Sequence, residues 1–181
     1  MRGRRATACL FTHKEKKMKF SKTLLIVLLS FIIPATGAQT KPNVVAQVSN
    51  DFNRQIMCMA KNLYYEAAME SHEGKLAVAQ VTINRANSNR YPSDICGVVY
   101  QKTGETCQFS WTCEEKKTEI KNRYAWEECL YIARRALTES VLHHELAKAQ
   151  AMFYHAVYVN PGWTNIKVVR QIGNHIFYAK K

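Results

Sequence analysis

Glu66 occupies a position where the pattern of the sequence calls for an apolar residue. Phe52, Ile56, Met59 and Leu63 recur at steps of four, three and four, tracing one helix face, and Glu66 is the next step of three on that face. A carboxyl group on an apolar face loses hydration when it ionises, so it keeps its proton to higher pH than a free glutamate. A general acid working near neutral pH requires that property. The same spacing also fits a glutamate at the frayed end of a helix, paired with Lys61, Lys75 or Arg85.

A glycoside hydrolase of the usual kind needs a second carboxylate, about 5 Å away for retention and roughly 6.5 to 9.5 Å away for inversion. Glu70, Asp94 and Glu105 are available, and none has a spacing that recommends it. His143-His144-Glu145 superficially resembles a zinc-protease motif, but the residue four beyond His144 is Lys148 and the second histidine is missing. These read as solvated helix residues, and no metal is expected. No glycine-rich phosphate loop is present, so no nucleotide cofactor is expected either. Tyr64, Tyr65, Phe109, Trp111, Tyr154, Tyr158, Trp163 and Tyr178 lie among polar residues, with His155 and His175 beside them. Sugar rings present apolar faces rimmed by hydroxyls, which tyrosine and tryptophan match, while core packing is the default for any one of them.

The elements that must position these groups follow from periodicity and caps. Residues 39–50 are polar and read as a linker, and Asn50 or Asp51 caps a helix running to Met69. Ser71 caps a second helix over 73–86, a short one covers 93–100, and 101–118 is a loop interrupted by Gln108-Phe109-Ser110-Trp111. A helix over 120–138 carries Ala125, Cys129, Ile132 and Ala136 on one face. Residues 151–159 alternate as a strand, and 167–172 and 175–178 flank Gly173-Asn174, a pair suited to a tight hairpin turn. Helices followed by a small antiparallel sheet make an α+β domain over 51–181.

The front of the chain has a different character. Of the 26 basic and 14 acidic residues in 181, residues 1–38 hold eight and one, so the formal charge of +12 falls to +5 beyond them. That is too mild to require a nucleic-acid partner. Lysines ahead of an apolar run from Leu24 to Ile33, then Pro34-Ala35-Thr36-Gly37-Ala38, read as a secretory signal cut after Ala38, or after Gly37. Ten apolar residues are too few to span a bilayer, so no stable membrane insertion follows cleavage, although an uncleaved anchor is the alternative. Met18 opens a better-proportioned signal than Met1, which makes 1–17 a candidate misassigned start. Export favours disulfides. The five cysteines beyond the leader allow at most two bridges, with Cys107 and Cys113, which flank a short loop, the first pair expected.

Several ordered blocks resemble the SleB/CwlJ-type cell wall hydrolases: Tyr64-Tyr65-Glu66-Ala67, Gly74 to Val81 closing on Asn84-Arg85, Tyr91-Pro92, Ile95 to Tyr100, Cys107 to Trp111, Met152 to His155 and Gly173 to Tyr178. The resemblance implies a lysozyme-like α+β fold, action on peptidoglycan glycan strands, and one catalytic glutamate in the Tyr-x-Glu-Ala block at Glu66. It implies lytic transglycosylase chemistry, in which the C6 hydroxyl of muramic acid replaces a protein nucleophile, with hydrolysis by water as the close variant. Substrate contacts are expected from Tyr65, Gln108, Phe109, Trp111, Tyr154, His155, His175 and Tyr178, in a monomer whose partner is peptidoglycan. Spore members often carry a separate peptidoglycan-binding repeat domain, which is not expected here, so germination is not implied. Glu114-Glu115-Lys116-Lys117 replaces an Asp- and Gly-rich stretch common in relatives, which points to different contacts from that loop. A non-catalytic wall-binding module is the rival reading.

Overall fold

The structure, a computed structural model, describes residues 43–114, 119–139 and 141–181. The leader of 1–38 and most of the charged stretch after Cys113 lie outside the described residues. Among the described residues five α-helices, α1 (Val44–Ala67), α2 (His72–Ala86), α3 (Ile95–Val99), α4 (Arg123–Thr138) and α5 (His144–Lys148), and a 3-10 turn over Ser110–Cys113 combine with strands β1 (Lys102–Thr103), β2 (Thr106–Cys107), β3 (Phe153–Ala156), β4 (Ile166–Ile172) and β5 (His175–Lys180). β1 and β2 form a small hairpin, and the second sheet is antiparallel in the order β3-β5-β4.

The first helix begins earlier than its sequence suggests. Asn43 caps it, its side-chain oxygen accepting from the Val45 amide, so residues 44–50 are helical and not a linker. No glycine or proline interrupts Val44 to Asp51, and a helix anchored further along by burial propagates backward through such a stretch. This extension projects beyond the core. Phe52, expected on the buried stripe, is exposed together with Val44, Val45 and Val48, and burial begins at Gln55 and Ile56.

From there α1 packs on α2 and α4, with Met59, Leu63, Val78, Val81 and Ile132 fully enclosed. The Tyr64 hydroxyl accepts from the amides of Lys121 and Asn122, both at 2.9 Å, fixing where α4 starts. Lys75, almost wholly buried, donates to the Glu70 carbonyl at 2.6 Å and pairs with Glu128 at 3.0 Å, joining α2 to α4. His143 is not a solvated helix residue. It stands just before α5 with its side chain largely buried near Glu73, because Gln80 draws its backbone amide onto α2.

Gly173-Asn174 forms the expected two-residue turn, since Ile172 pairs with His175 across it. Gly173 has φ +55°, and an added Cβ there would strike the Glu70 carboxylate. That carboxylate accepts from the Asn174 amide at 3.1 Å and from its side chain at 3.0 Å, tying the end of α1 to the β4–β5 turn. Glu70 is therefore an anchor for the hairpin. Gly173→Ala should lower the unfolding free energy by about 1–3 kcal/mol, from left-handed backbone strain and loss of the Glu70 contacts. Urea denaturation of the two proteins measures it.

Among the described residues two disulfides are present, Cys58–Cys96 joining α1 to α3 and Cys107–Cys113 closing the aromatic loop. Cys129 is free, and its burial on α4 pushes the thiol pKa up to about 11. Chain-entropy arguments give about 4 kcal/mol for the longer closure and about 2–3 kcal/mol for the shorter. Peptide mapping without reduction should return these two pairs, with Cys129 alkylated only after unfolding.

Candidate functional site

The apolar stripe of α1 ends where the chain leaves the core, and Glu66 is on that last turn, half-buried. The Tyr154 hydroxyl on edge strand β3 donates to Glu66 Oε2 at 3.0 Å. Burial raises the pKa of Glu66. The Tyr154 hydrogen bond and the nearby Arg85 charge pull it back, and the net displacement is upward. Burial also lifts Tyr154 well above its ordinary range, with the Glu66 charge adding to it, so that hydroxyl stays a donor at any physiological pH.

Arg85 comes from the last turn of α2, where it follows Val78 and Val81 along a buried face. Its Nε donates to the Met152 carbonyl at 2.8 Å, and the guanidinium lies 5.3 Å and 5.4 Å from the ring centres of Tyr91 and Phe109. Nη1 is buried and has no protein partner. Glu66, Arg85 and Tyr154 line a cleft of about 200 Å³ together with Gln108, Phe109, Ser110, Phe153 and Trp163. Glu66 is the one carboxylate among those residues. Asp94 is engaged elsewhere, accepting from the Gly97 amide at the start of α3, and Glu105 is exposed in the β1–β2 turn.

The other residues singled out from sequence fall into three places. Gln108, exposed, and Phe109, buried, reach the cleft. Tyr65 stacks on Trp111 with ring centres 4.7 Å apart, and both line a neighbouring groove with Lys61, Tyr100 and Lys102. Trp111 Nε1 also donates to Asn62 Oδ1 at 3.4 Å, which holds its ring toward α1. His155 donates from Nδ1 to the Ala156 carbonyl, so in its neutral form Nε2 accepts from the Tyr178 hydroxyl at 2.7 Å. These two rings meet the cleft through Trp163, which packs on both and on Phe153. His175 does not line the cleft. It is buried edge-on behind Tyr154 at 5.2 Å, where burial lowers its pKa and Nδ1 has no protein partner.

Sequence reasoning gave Arg85 no role beyond a possible ion pair and membership of a family block, named Trp163 only among the aromatics suited to sugar faces, and gave Phe153 and Ser110 no role of their own. The usable signal for Arg85 was a cation at the i+4 step from Val81 on an otherwise apolar helix face. Trp163 had only its residue type as a signal and no spacing, since it lies on an irregular connection and reaches the cleft through tertiary packing.

A family model described as Cell Wall Hydrolase matches residues 69–178, more than half of the chain. The chain belongs to this family. The matched span of the cell wall hydrolase takes in Arg85, Gln108, Phe109, Tyr154 and Trp163 and begins just after Glu66. Two relatives named spore cortex-lytic enzyme, from Oceanobacillus iheyensis and Halalkalibacterium halodurans, are each 27% identical, over 78% and 75% of this chain. The chain spans only 46% and 37% of their lengths. The catalytic domain of the Bacillus cereus SleB protein superposes with a TM-score of 0.51 at 24% identity, covering 69% of this chain and 89% of that one. The fold is thus the lysozyme-like α+β class that the sequence led us to expect. Among the described residues no helix is long and apolar enough to cross a membrane.

The raised pKa of Glu66 has a consequence for stability. The folded state binds more protons than the unfolded chain between the unfolded pKa and the higher folded one. The stabilising contribution is therefore complete below the unfolded value and is lost as pH rises through the folded value. Glu66→Gln should flatten that part of the stability curve and leave the neutral-pH protein at least as stable as the wild type. His175 titrates with the opposite sign in both proteins, so the difference between their melting curves, taken from pH 4 to 8, isolates Glu66. Parallel curves would mean that Glu66 is unperturbed.

Proposed function

We propose that this cell wall hydrolase is exported and cleaves the glycan strand of peptidoglycan, with Glu66 as the single acid/base. The observation that carries the reading is a carboxyl group whose pKa burial raises, oriented by Tyr154, in an aromatic-walled cleft lined by no second carboxylate among the described residues. In the first step Glu66 gives its proton to the glycosidic oxygen as the bond from that oxygen to C1 of muramic acid breaks. Arg85, the charge nearest in effect to Glu66, stabilises the carboxylate so formed. The muramic C6 hydroxyl then bonds to C1 and returns its proton to Glu66, which closes a 1,6-anhydro ring and restores the acid.

Phe109, Phe153 and Trp163 supply ring faces for the sugars, and Gln108 and Ser110 supply polar groups at the rim. Tyr65 and Trp111 extend this surface in the adjoining groove. The two disulfides support an oxidising destination, consistent with the leader read in residues 1–38.

Digestion of purified peptidoglycan followed by mass spectrometry tests the reading. The expected products carry anhydro ends, one water mass below reducing ends, and reducing ends in their place would assign hydrolysis by water. Co-sedimentation with the wall and no soluble product would leave a binding module. Glu66→Gln should fold normally and lose about 10²- to 10⁴-fold in turnover. A folded variant that keeps near wild-type rate sinks the role of Glu66.

A further inference from the structure

Adjoining the cleft is a larger recess of about 510 Å³, and the two share a wall. The wall is built from neighbouring residues that face opposite ways: Asn84 and Met152 line the recess, while Arg85 and Phe153 line the cleft. Three hydrogen bonds hold it. Asn84 Nδ2 donates to the carbonyls of Leu146 at 3.0 Å and Ala151 at 2.8 Å, and Arg85 Nε donates to Met152. Gln80 fixes the floor, its Oε1 accepting from the amides of Leu142 and His143 and its Nε2 donating to Asn84 Oδ1.

The rim is chemically one-sided. Asn87, Asn89, Arg90, Gln150 and Lys180 stand exposed around it, and among the described residues no acidic side chain lines it. Arg90 and Lys180 form no ion pair among the described residues. No aromatic ring lines the recess, so it offers no platform for the face of a sugar.

Gln150 gives a second, independent indication. It follows α5 with φ +51°, the Gln150 amide bonding to the Ala147 carbonyl and the Ala151 amide to that of Leu146. That is a Schellman ending, whose left-handed position is usually glycine because other residues are strained there. A glutamine kept at this position, at the rim of a polar recess, holds a side-chain amide that the fold would be more stable without.

We propose that this recess binds a carboxylate-bearing peptide, the stem peptide of the strand whose glycan occupies the cleft, an assignment that rests on the wall substrate proposed above. Arg90 and Lys180 meet the peptide's carboxylates, and the amides of Asn87, Asn89 and Gln150 pair with its backbone. The two hollows adjoin at this wall, so a strand whose glycan lies in the cleft passes its stem peptide over the rim of the wall into the recess, and the peptide sets the position of the strand against Glu66.

The test is a titration of the purified chain with free tetrapeptide stem released from peptidoglycan by an amidase, followed by amide chemical shifts. An L-amino-acid peptide of equal charge and a peptide-free glycan strand serve as the other arms, the glycan with the Glu66→Gln protein so that it is not consumed. The stem should shift Asn87, Asn89, Gln150 and Lys180, and the peptide-free strand should leave them in place. Arg90→Ala and Lys180→Ala, both at exposed positions, should each weaken stem binding about tenfold, the usual effect of losing one charge-assisted contact. Gln150→Gly should raise the melting temperature and still weaken stem binding, a combination that a purely structural glutamine would not produce. Undiminished affinity in the Arg90/Lys180 double variant, or equal binding of the control peptide, overturns the proposal. Anhydro-product release and its dependence on Glu66 are read separately, so failure of the recess and failure of the cleft are distinguishable.

Discussion

Glu66 is the last residue of an apolar stripe, and the Tyr154 hydroxyl is the group that meets it. One partner belongs to α1, which the three-helix core fixes, and the other to β3, an edge strand held by β5. A 3.0 Å bond between them requires the sheet to be placed on the helices to within a few tenths of an ångström, and most of the polar structure serves that requirement. Glu70 holds the β4–β5 turn to the end of α1. Arg85 holds Met152, which itself pairs with Tyr178 on β5 just ahead of β3. Gln80 and Asn84 hold the segment from Leu142 to Ala151 that leads into the strand. Each of these is a side chain bonding to backbone groups outside the regular elements or at their ends, an efficient way to fix an irregular connection.

The aromatic loop follows the same logic with a covalent device. Residues 107–113 supply Phe109 to the cleft and Trp111 to the groove beside it, so one short segment forms the boundary between two surfaces. A loop of this length has little secondary structure to hold it, a β1–β2 pairing of two residues each and one 3-10 turn over Ser110–Cys113. The Cys107–Cys113 bridge limits its freedom before folding, and the burial of both rings fixes its face afterwards.

How much of this could be read in advance depends on the range of the interaction. The Ser71 cap, the Gly173-Asn174 turn, the Cys107–Cys113 pair and the position of Glu66 are local patterns, set by neighbours within a turn or a short loop, and they were legible. The role of Glu70 was not, because its partner Asn174 is 104 residues away. The Cys58–Cys96 pair and the Arg85–Met152 contact lie 38 and 67 residues apart and were equally hidden. Periodicity misled at Phe52, since a helix can continue its pattern past the edge of the core. It also hid the start of α1, where a polar stretch without breakers was read as linker. Resemblance to a family filled the gap for the cleft, but it could not say that His175 lies behind Tyr154 and that Trp163 lies in front.

The centre of the molecule concentrates groups that a stability optimum would not keep together. A carboxyl is half-buried without a direct ion-pair partner, a buried guanidinium leaves Nη1 unpaired, and a buried histidine leaves Nδ1 unpaired. Each unsatisfied polar atom costs about 1–3 kcal/mol, and each lies within one shell of the Glu66–Tyr154 bond. Moving Arg85 into a direct ion pair with Glu66 would recover part of that energy and would also hold the carboxyl ionised, removing the proton that the proposed general-acid step uses. Moving it away would leave the carboxylate unsupported once that proposed step had given the proton up. The observed arrangement lies between these limits: Arg85 is clamped by Met152 and two aromatic rings, close enough to act through space and held from closing the pair. The helical core and the two disulfides stabilise the fold against this local disfavour, so the rigidity of residues distant from the cleft is what permits the tension inside it.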